Sequence, residues 1–181
     1  MNGYPQRYFD YIDSPRGKIP TVALSYLSAG AKLNRLEDIE AGHALSADVT
    51  GEGLRNFSEG LRVITPFEAG TRFYSIGRNF DYTLFEYFIT DKAGHSQNMQ
   101  KAVQSLERMD EFLRGILHTF DDEKDVLLFI SDHGNIEDLS TRSHTRNPVP
   151  LIAIGGRRSF FSERVSALTD ITPALIGFFS E

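Results

Sequence analysis

Val126-Leu127-Leu128-Phe129-Ile130-Ser131-Asp132-His133-Gly134-Asn135 is an apolar run that ends in an acid, an imidazole and a glycine. A short run without polar alternation reads as a strand covered on both faces, as in parallel sheets flanked by helices. Ligands of such sheets gather at the C-terminal edge of the strands, where Asp132 and His133 stand. One loop later comes His144, then Asn147-Pro148-Val149-Pro150 and a second apolar run, Leu151 to Ile154.

Working back from that stretch, Tyr82 to Thr90 is aromatic and β-branched, which predicts another strand, ending at Asp91. Between the two strands Met99, Ala102, Val103, Leu106, Met109, Leu113, Ile116 and Leu117 recur at three- and four-residue intervals, so the longest helix buries one face. The order strand, helix, strand, loop, strand predicts an α/β fold, a parallel-sheet sandwich with helices on both faces. The tail from Leu168 to Phe179, with Thr169 or Asp170 at its start and Pro173 in its first turn, predicts a closing amphipathic helix.

Further upstream, Thr65-Pro66-Phe67-Glu68 combines a capping hydroxyl, proline at the first helical position and a glutamate three residues on, which starts a helix running to about Asn79. Thr21 to Leu33 reads as a helix. Tyr4 to Pro20 carries three prolines and a glycine and reads as a packed irregular segment, and Glu40 to Gly60 as loop with short helical pieces. Two regions follow: an irregular cap or insertion over 1–65 and an α/β core over 66–181.

The 181 residues, 40% hydrophobic with 12% aromatics, suffice for a real core. A net charge of −6 and a pI near 5.4 leave no basic face for nucleic acid. With no cysteine, thiolate ligands are excluded and any metal must be held by nitrogen or oxygen. No stretch reaches the roughly 20 apolar residues of a membrane span, and no secretory leader is visible, so the expectation is a cytoplasmic protein.

Asp91, His95, Asp132, His133 and His144 would then converge at one sheet edge as metal ligands. Five side chains plus substrate oxygens exceed one tetrahedral shell, and adjacent Asp132 and His133 can point to opposite sides, which predicts two divalent ions. Zn or Mn suits such a nitrogen-rich set better than Mg. Paired ions steady the entering and leaving oxygens of a phosphoryl displacement, so the expected substrate is a small phosphate ester. Arg142 and Arg146 flank His144 and could hold its non-reacting anion, while Asn135, Glu137 and Asp138 could orient the imidazoles. Taken singly, Asp91 reads as a helix cap and Asp132-His133-Gly134 as a polar turn; the order of all five favours metal.

Thr90-Asp91-Lys92-Ala93-Gly94-His95, Ser131-Asp132-His133-Gly134-Asn135 and His144-Thr145-Arg146-Asn147-Pro148-Val149-Pro150, in that order, resemble the metal-binding half of the alkaline phosphatase superfamily, closest to its cofactor-independent phosphoglycerate mutase branch. The resemblance implies that Asp91, His95 and His144 hold one metal, while Asp132 and His133 contribute to the other. It is specific from Tyr82 onward. Members of that superfamily open with a strand ending in a metal-binding Asp, followed by a Ser or Thr nucleophile, and neither element is visible here. Asp10, Asp13 and Thr50 lack the setting.

The catalytic nucleophile is therefore unknown, and the chain reads as the C-terminal part of a longer enzyme or as a non-catalytic metal-binding remnant. A sheet without its interior strand has an open edge, which a missing N-terminal portion, a second polypeptide or a homo-oligomer would fill.

Overall fold

The computed structural model describes residues 1–180, which form two compact units. The first comprises Met1–Lys92 and Gln100–Thr119, the second Ala93–Met99 and the chain from Phe120 onward. Thr65 and Pro66, the division suggested by sequence, lie within the first. Among the described residues are eight α-helices and two small sheets, an α/β composition. None of these helices is long and apolar enough to cross a membrane.

In the first unit, β1 (Gly3–Tyr4) pairs in parallel with β2 (Asn34–Arg35), and α1 (Gln6–Ile12), α2 (Thr21–Ser28) and α3 (Leu36–Glu40) follow the chain around them. The irregular segment expected over 4–20 is thus partly helical: Pro5 sits at the N-cap of α1, where its missing N–H costs nothing. Ile39, Ala44, Leu54 and Leu61 form a buried cluster against which Leu36 packs.

Helix α4 (Pro66–Gly77) starts as its sequence dictates. Glu68 N donates to Thr65 Oγ1 at 3.1 Å and Thr65 N to Glu68 Oε2 at 3.4 Å. It crosses α6 (Met99–Thr119) where both backbones are bare of side chains: a Cβ on Gly115 would lie 2.8 Å from the Phe67 carbonyl carbon, and one on Gly70 2.7 Å from Ile116 N. This approach selects the buried face of α6. Ala102, Ser105, Phe112, Gly115 and Ile116 are buried, whereas Met99, Val103, Leu106 and Leu117, part of the predicted stripe, are exposed. Small residues let a neighbouring helix come close, and that outweighs the apolar periodicity.

Tyr82 to Thr90 is not a strand. Its backbone is met by the first two residues: Asn2 Nδ2 donates to Glu86 O at 2.8 Å, Glu86 N to Asn2 Oδ1 at 2.9 Å, and the Met1 amino group to Leu84 O at 3.1 Å. The chain then turns into α5 (Ile89–His95), so Asp91 stands in the first turn of a helix instead of at a strand end.

In the second unit β3 (Leu127–Ile130) and β4 (Leu151–Ile154) pair antiparallel, Ile130 opposite Leu151 and Leu127 opposite Ile154. The sequence reading had them parallel. A parallel pair needs a crossover, usually helical, and residues 131–150 contain no helix; the chain simply returns. Val126, Leu128 and Ala153 pack on Phe160, Phe161 and Ala174, which belong to α7 (Ser159–Ser162) and α8 (Ile171–Phe178). Asp170 Oδ2 accepts from Ser166 N at 3.0 Å and Ala167 N at 2.9 Å, closing the turn before α8, and Pro173 falls in the first turn of that helix, as predicted.

Candidate metal centre

The long return between β3 and β4 carries Asp132, His133 and His144, and it is drawn together inside its paired ends. Gly134 and Thr145 form an isolated antiparallel bridge, with Thr145 N donating to Gly134 O at 2.9 Å. Glu137 ties the same two points: its carboxylate accepts from Asn135 N at 2.6 Å, from Asn147 Nδ2 at 2.9 Å and from the Thr145 hydroxyl. The Thr145 bond, reinforced by Asn147, holds its carboxyl down at about 2. A Cβ on Gly134 would press on the Thr145 hydroxyl and, at 2.6 Å, on Glu137 Oε1, so a side chain there would disturb the bond between them.

The bridge sets the imidazoles face to face. His133 and His144 stack with ring centroids 3.6 Å apart and planes 16° from parallel. Asp132 Oδ2 lies 3.4 Å from His133 Nε2, so these neighbours turn toward each other instead of to opposite sides. Asp132 is highly exposed, and its side chain retains 84% of its accessible surface.

His95 reaches the cluster from the end of α5, its Nε2 3.1 Å from His144 Nε2. Gly94 makes this docking feasible, since a Cβ there would lie 2.6 Å from Asn135 Cγ, and Asn135 is buried at 4% exposure. The other nitrogen, Nδ1, lies 2.6 Å from the Arg142 carbonyl oxygen. A carbonyl only accepts, so Nδ1–H donates, and in the neutral ring Nε2 carries the lone pair that faces His144.

Asp91 stands four residues before His95 on α5, which places both on one face of that helix. Arg142 and Arg146 are exposed; Arg142 Nε donates to Gln97 Oε1 at 3.0 Å. Asp48, in the first unit, closes a turn by accepting from Gly51 N at 2.9 Å and Gly53 N at 2.7 Å. Sequence reasoning grouped Glu137 with Asn135 and Asp138 and did not single it out. Its signal was positional: a carboxylate just past Gly134, with hydroxyl and amide donors eight and ten residues on.

The donor set fits a divalent cation of nitrogen and oxygen preference. Two nitrogens bound to one tetrahedral zinc at about 2.0–2.1 Å stand about 3.3 Å apart, close to the 3.1 Å between His95 and His144. Proton placement on His95 by a carbonyl is the usual way an imidazole ligand is oriented.

The family model of the Metalloenzyme superfamily matches residues 74–180, a span that includes every candidate ligand. The chain is 31% identical over 105 residues to a 2,3-bisphosphoglycerate-independent phosphoglycerate mutase of Antithamnion sp., covering 54% of this chain and 21% of that protein. It is 33% identical over 109 residues to the protein of that name from Ruthia magnifica, covering 55% and 21%, and 30% identical over 108 residues to that of Agrobacterium fabrum, covering 56% and 21%. The chain thus spans about a fifth of the length of these relatives. No solved structure matches it. With His95, His133 and His144 gathered around one point and the family match running through all three, the chain belongs to the Metalloenzyme superfamily.

Proposed function

We propose that this chain is the divalent-metal-binding part of a phosphoryl-transfer enzyme, a phosphohydrolase or phosphomutase acting on a small phosphate ester. Asp91, His95 and His144 hold one ion, and Asp132 with His133 contributes to a second, Zn or Mn in preference to Mg. The observation that carries the reading is the approach of His95 Nε2 and His144 Nε2 to 3.1 Å from segments 49 residues apart. The names of the relatives, which are phosphoglycerate mutases, support the reaction class.

A divalent cation in such a site supplies positive charge against the phosphoryl oxygens. The chain's own groups do the rest. The Arg142 carbonyl keeps the His95 proton on Nδ1, so that the lone pair on Nε2 faces inward. Glu137 holds the His133 and His144 segments at fixed separation. Arg142 and Arg146, both exposed beside His144, match the oxygens of the substrate's second anion.

A second reading, a non-catalytic metal-binding module, is favoured by one observation: hydroxyls near the cluster are engaged as donors within the protein. Ser131 Oγ donates to His133 O at 2.8 Å and Ser140 Oγ to Asp138 Oδ1 at 2.6 Å, and the Thr145 hydroxyl to Glu137. Titration of chelator-treated protein with Zn or Mn, paired with a phosphatase assay, decides. The proposal expects metal binding and metal-stimulated turnover, both abolished in His144→Ala. Binding without turnover would select the module, and a chain that binds neither ion would refute both.

A further inference from the structure

We propose that Gln97 is a positioning residue for His95: its amide clamps the Arg142 backbone, whose carbonyl fixes where the His95 proton sits and how the ring is turned. Gln97 Oε1 accepts from Arg142 Nε at 3.0 Å, and Gln97 Nε2 donates to Leu139 O at 3.2 Å. A guanidinium only donates and a carbonyl only accepts, so the two partners allow one orientation of the amide. Two residues back along the chain, His95 Nδ1–H donates to the Arg142 carbonyl at 2.6 Å. The contacts close a ring: His95 to the Arg142 backbone, the Arg142 side chain to Gln97, and Gln97 back to His95 along the chain.

Gln97 does this from an unfavourable backbone. Its φ is 51°, in the left-handed region that residues with a Cβ avoid and glycine enters freely. Ser96 N donates to Ala93 O at 3.1 Å and Gln97 N to Gly94 O at 2.9 Å, which ends α5 and aims the Gln97 side chain at the 139–142 segment. A glycine would make the same turn without strain. What glutamine adds is the amide, and both ends of it grip the segment that holds His95.

The effect on metal affinity rests on reading His95 as a ligand; the effect on its proton does not. The test is therefore made on the metal-free full chain, by NMR of nitrogen-15-labelled imidazoles at alkaline pH, which tells the two neutral tautomers apart. Wild-type His95 should be protonated at Nδ1. Gln97→Ala and Gln97→Gly should both move His95 toward the Nε2-protonated form, although glycine suits the turn and should melt no lower than wild type.

Zinc affinity in both variants should fall about 10- to 100-fold. A wild-type proton position in the glycine variant, or Nε2 protonation in the wild type, would overturn the clamp. A shifted proton with no zinc bound by any of the proteins would support the clamp while refuting the metal reading.

Discussion

Gly94→Ala tests whether the end of α5 and the His133 segment are one packed assembly. The added Cβ would lie 2.6 Å from Asn135 Cγ and 3.1 Å from Nδ2, and closer still to the amide oxygen. Carbon contacts settle at about 3.5–4.0 Å, so Asn135 Cγ, now 2.6 Å away, must retreat by about 0.9 Å or more. Asn135 is 4% exposed. Overpacking of this kind costs about 1–3 kcal/mol, offset by up to about 1 kcal/mol from replacing a helical glycine. With that offset in full the net loss should be about 0–2 kcal/mol, a drop of up to about 8 °C in Tm for a chain of this size.

The retreat also carries His133, two residues before Asn135, away from His144, and zinc affinity should fall about 10-fold or more. Calorimetric titration and thermal melting of the same preparation give both numbers. Wild-type zinc affinity in Gly94→Ala, whatever its Tm, would break the link between this contact and the cluster.

Two further predictions concern separate parts of the chain. Glu137 has a carboxyl lowered from about 4.5 to about 2, so its contribution is complete above the ordinary carboxylate range and is lost as pH falls between those values. Hydrogen exchange at the Thr145 amide should therefore rise across that window in the wild type and show no such step in Glu137→Gln. Gly115→Ala would force a Cβ to 2.8 Å from the Phe67 carbonyl carbon, backbone against backbone, and should destabilise the first unit by about 3 kcal/mol or more. A wild-type urea midpoint would mean that α4 and α6 do not meet at that glycine.

Helices signalled by local chemistry were legible in the sequence, because caps and prolines act within a few residues. Thr65, Pro66 and Glu68 begin α4 as their spacing dictates, and the long helix runs from Met99 to Thr119. Pairing was not legible. The apolar run at 126–131 announces a strand, yet its direction relative to Leu151–Ile154 depends on the path between them, which composition does not encode. Tyr82 to Thr90 has strand-like residues, but a single distant asparagine takes up its backbone groups at Glu86.

At the site, His95, His133 and His144 do come together, though from a helix end and a hairpin instead of from the parallel strand ends that the sequence suggested. The residues that hold them bear no metal-ligand signature: Gln97 acts through contacts 42 and 45 residues away, Gly94 through the lack of a side chain, and Glu137 through donors two, eight and ten residues along the same loop.

The return between β3 and β4 is closed twice, by the Ile130–Leu151 pair and, inside it, by the Gly134–Thr145 bridge. Loop-closure entropy grows only as the logarithm of length, so each closure removes conformational freedom from His133 and His144 at modest cost when the chain folds. On the proposed reading, a cation would meet donors already assembled, and little of its binding free energy would go into ordering them. The hairpin thus fixes the separation of His133 and His144 within the folded chain.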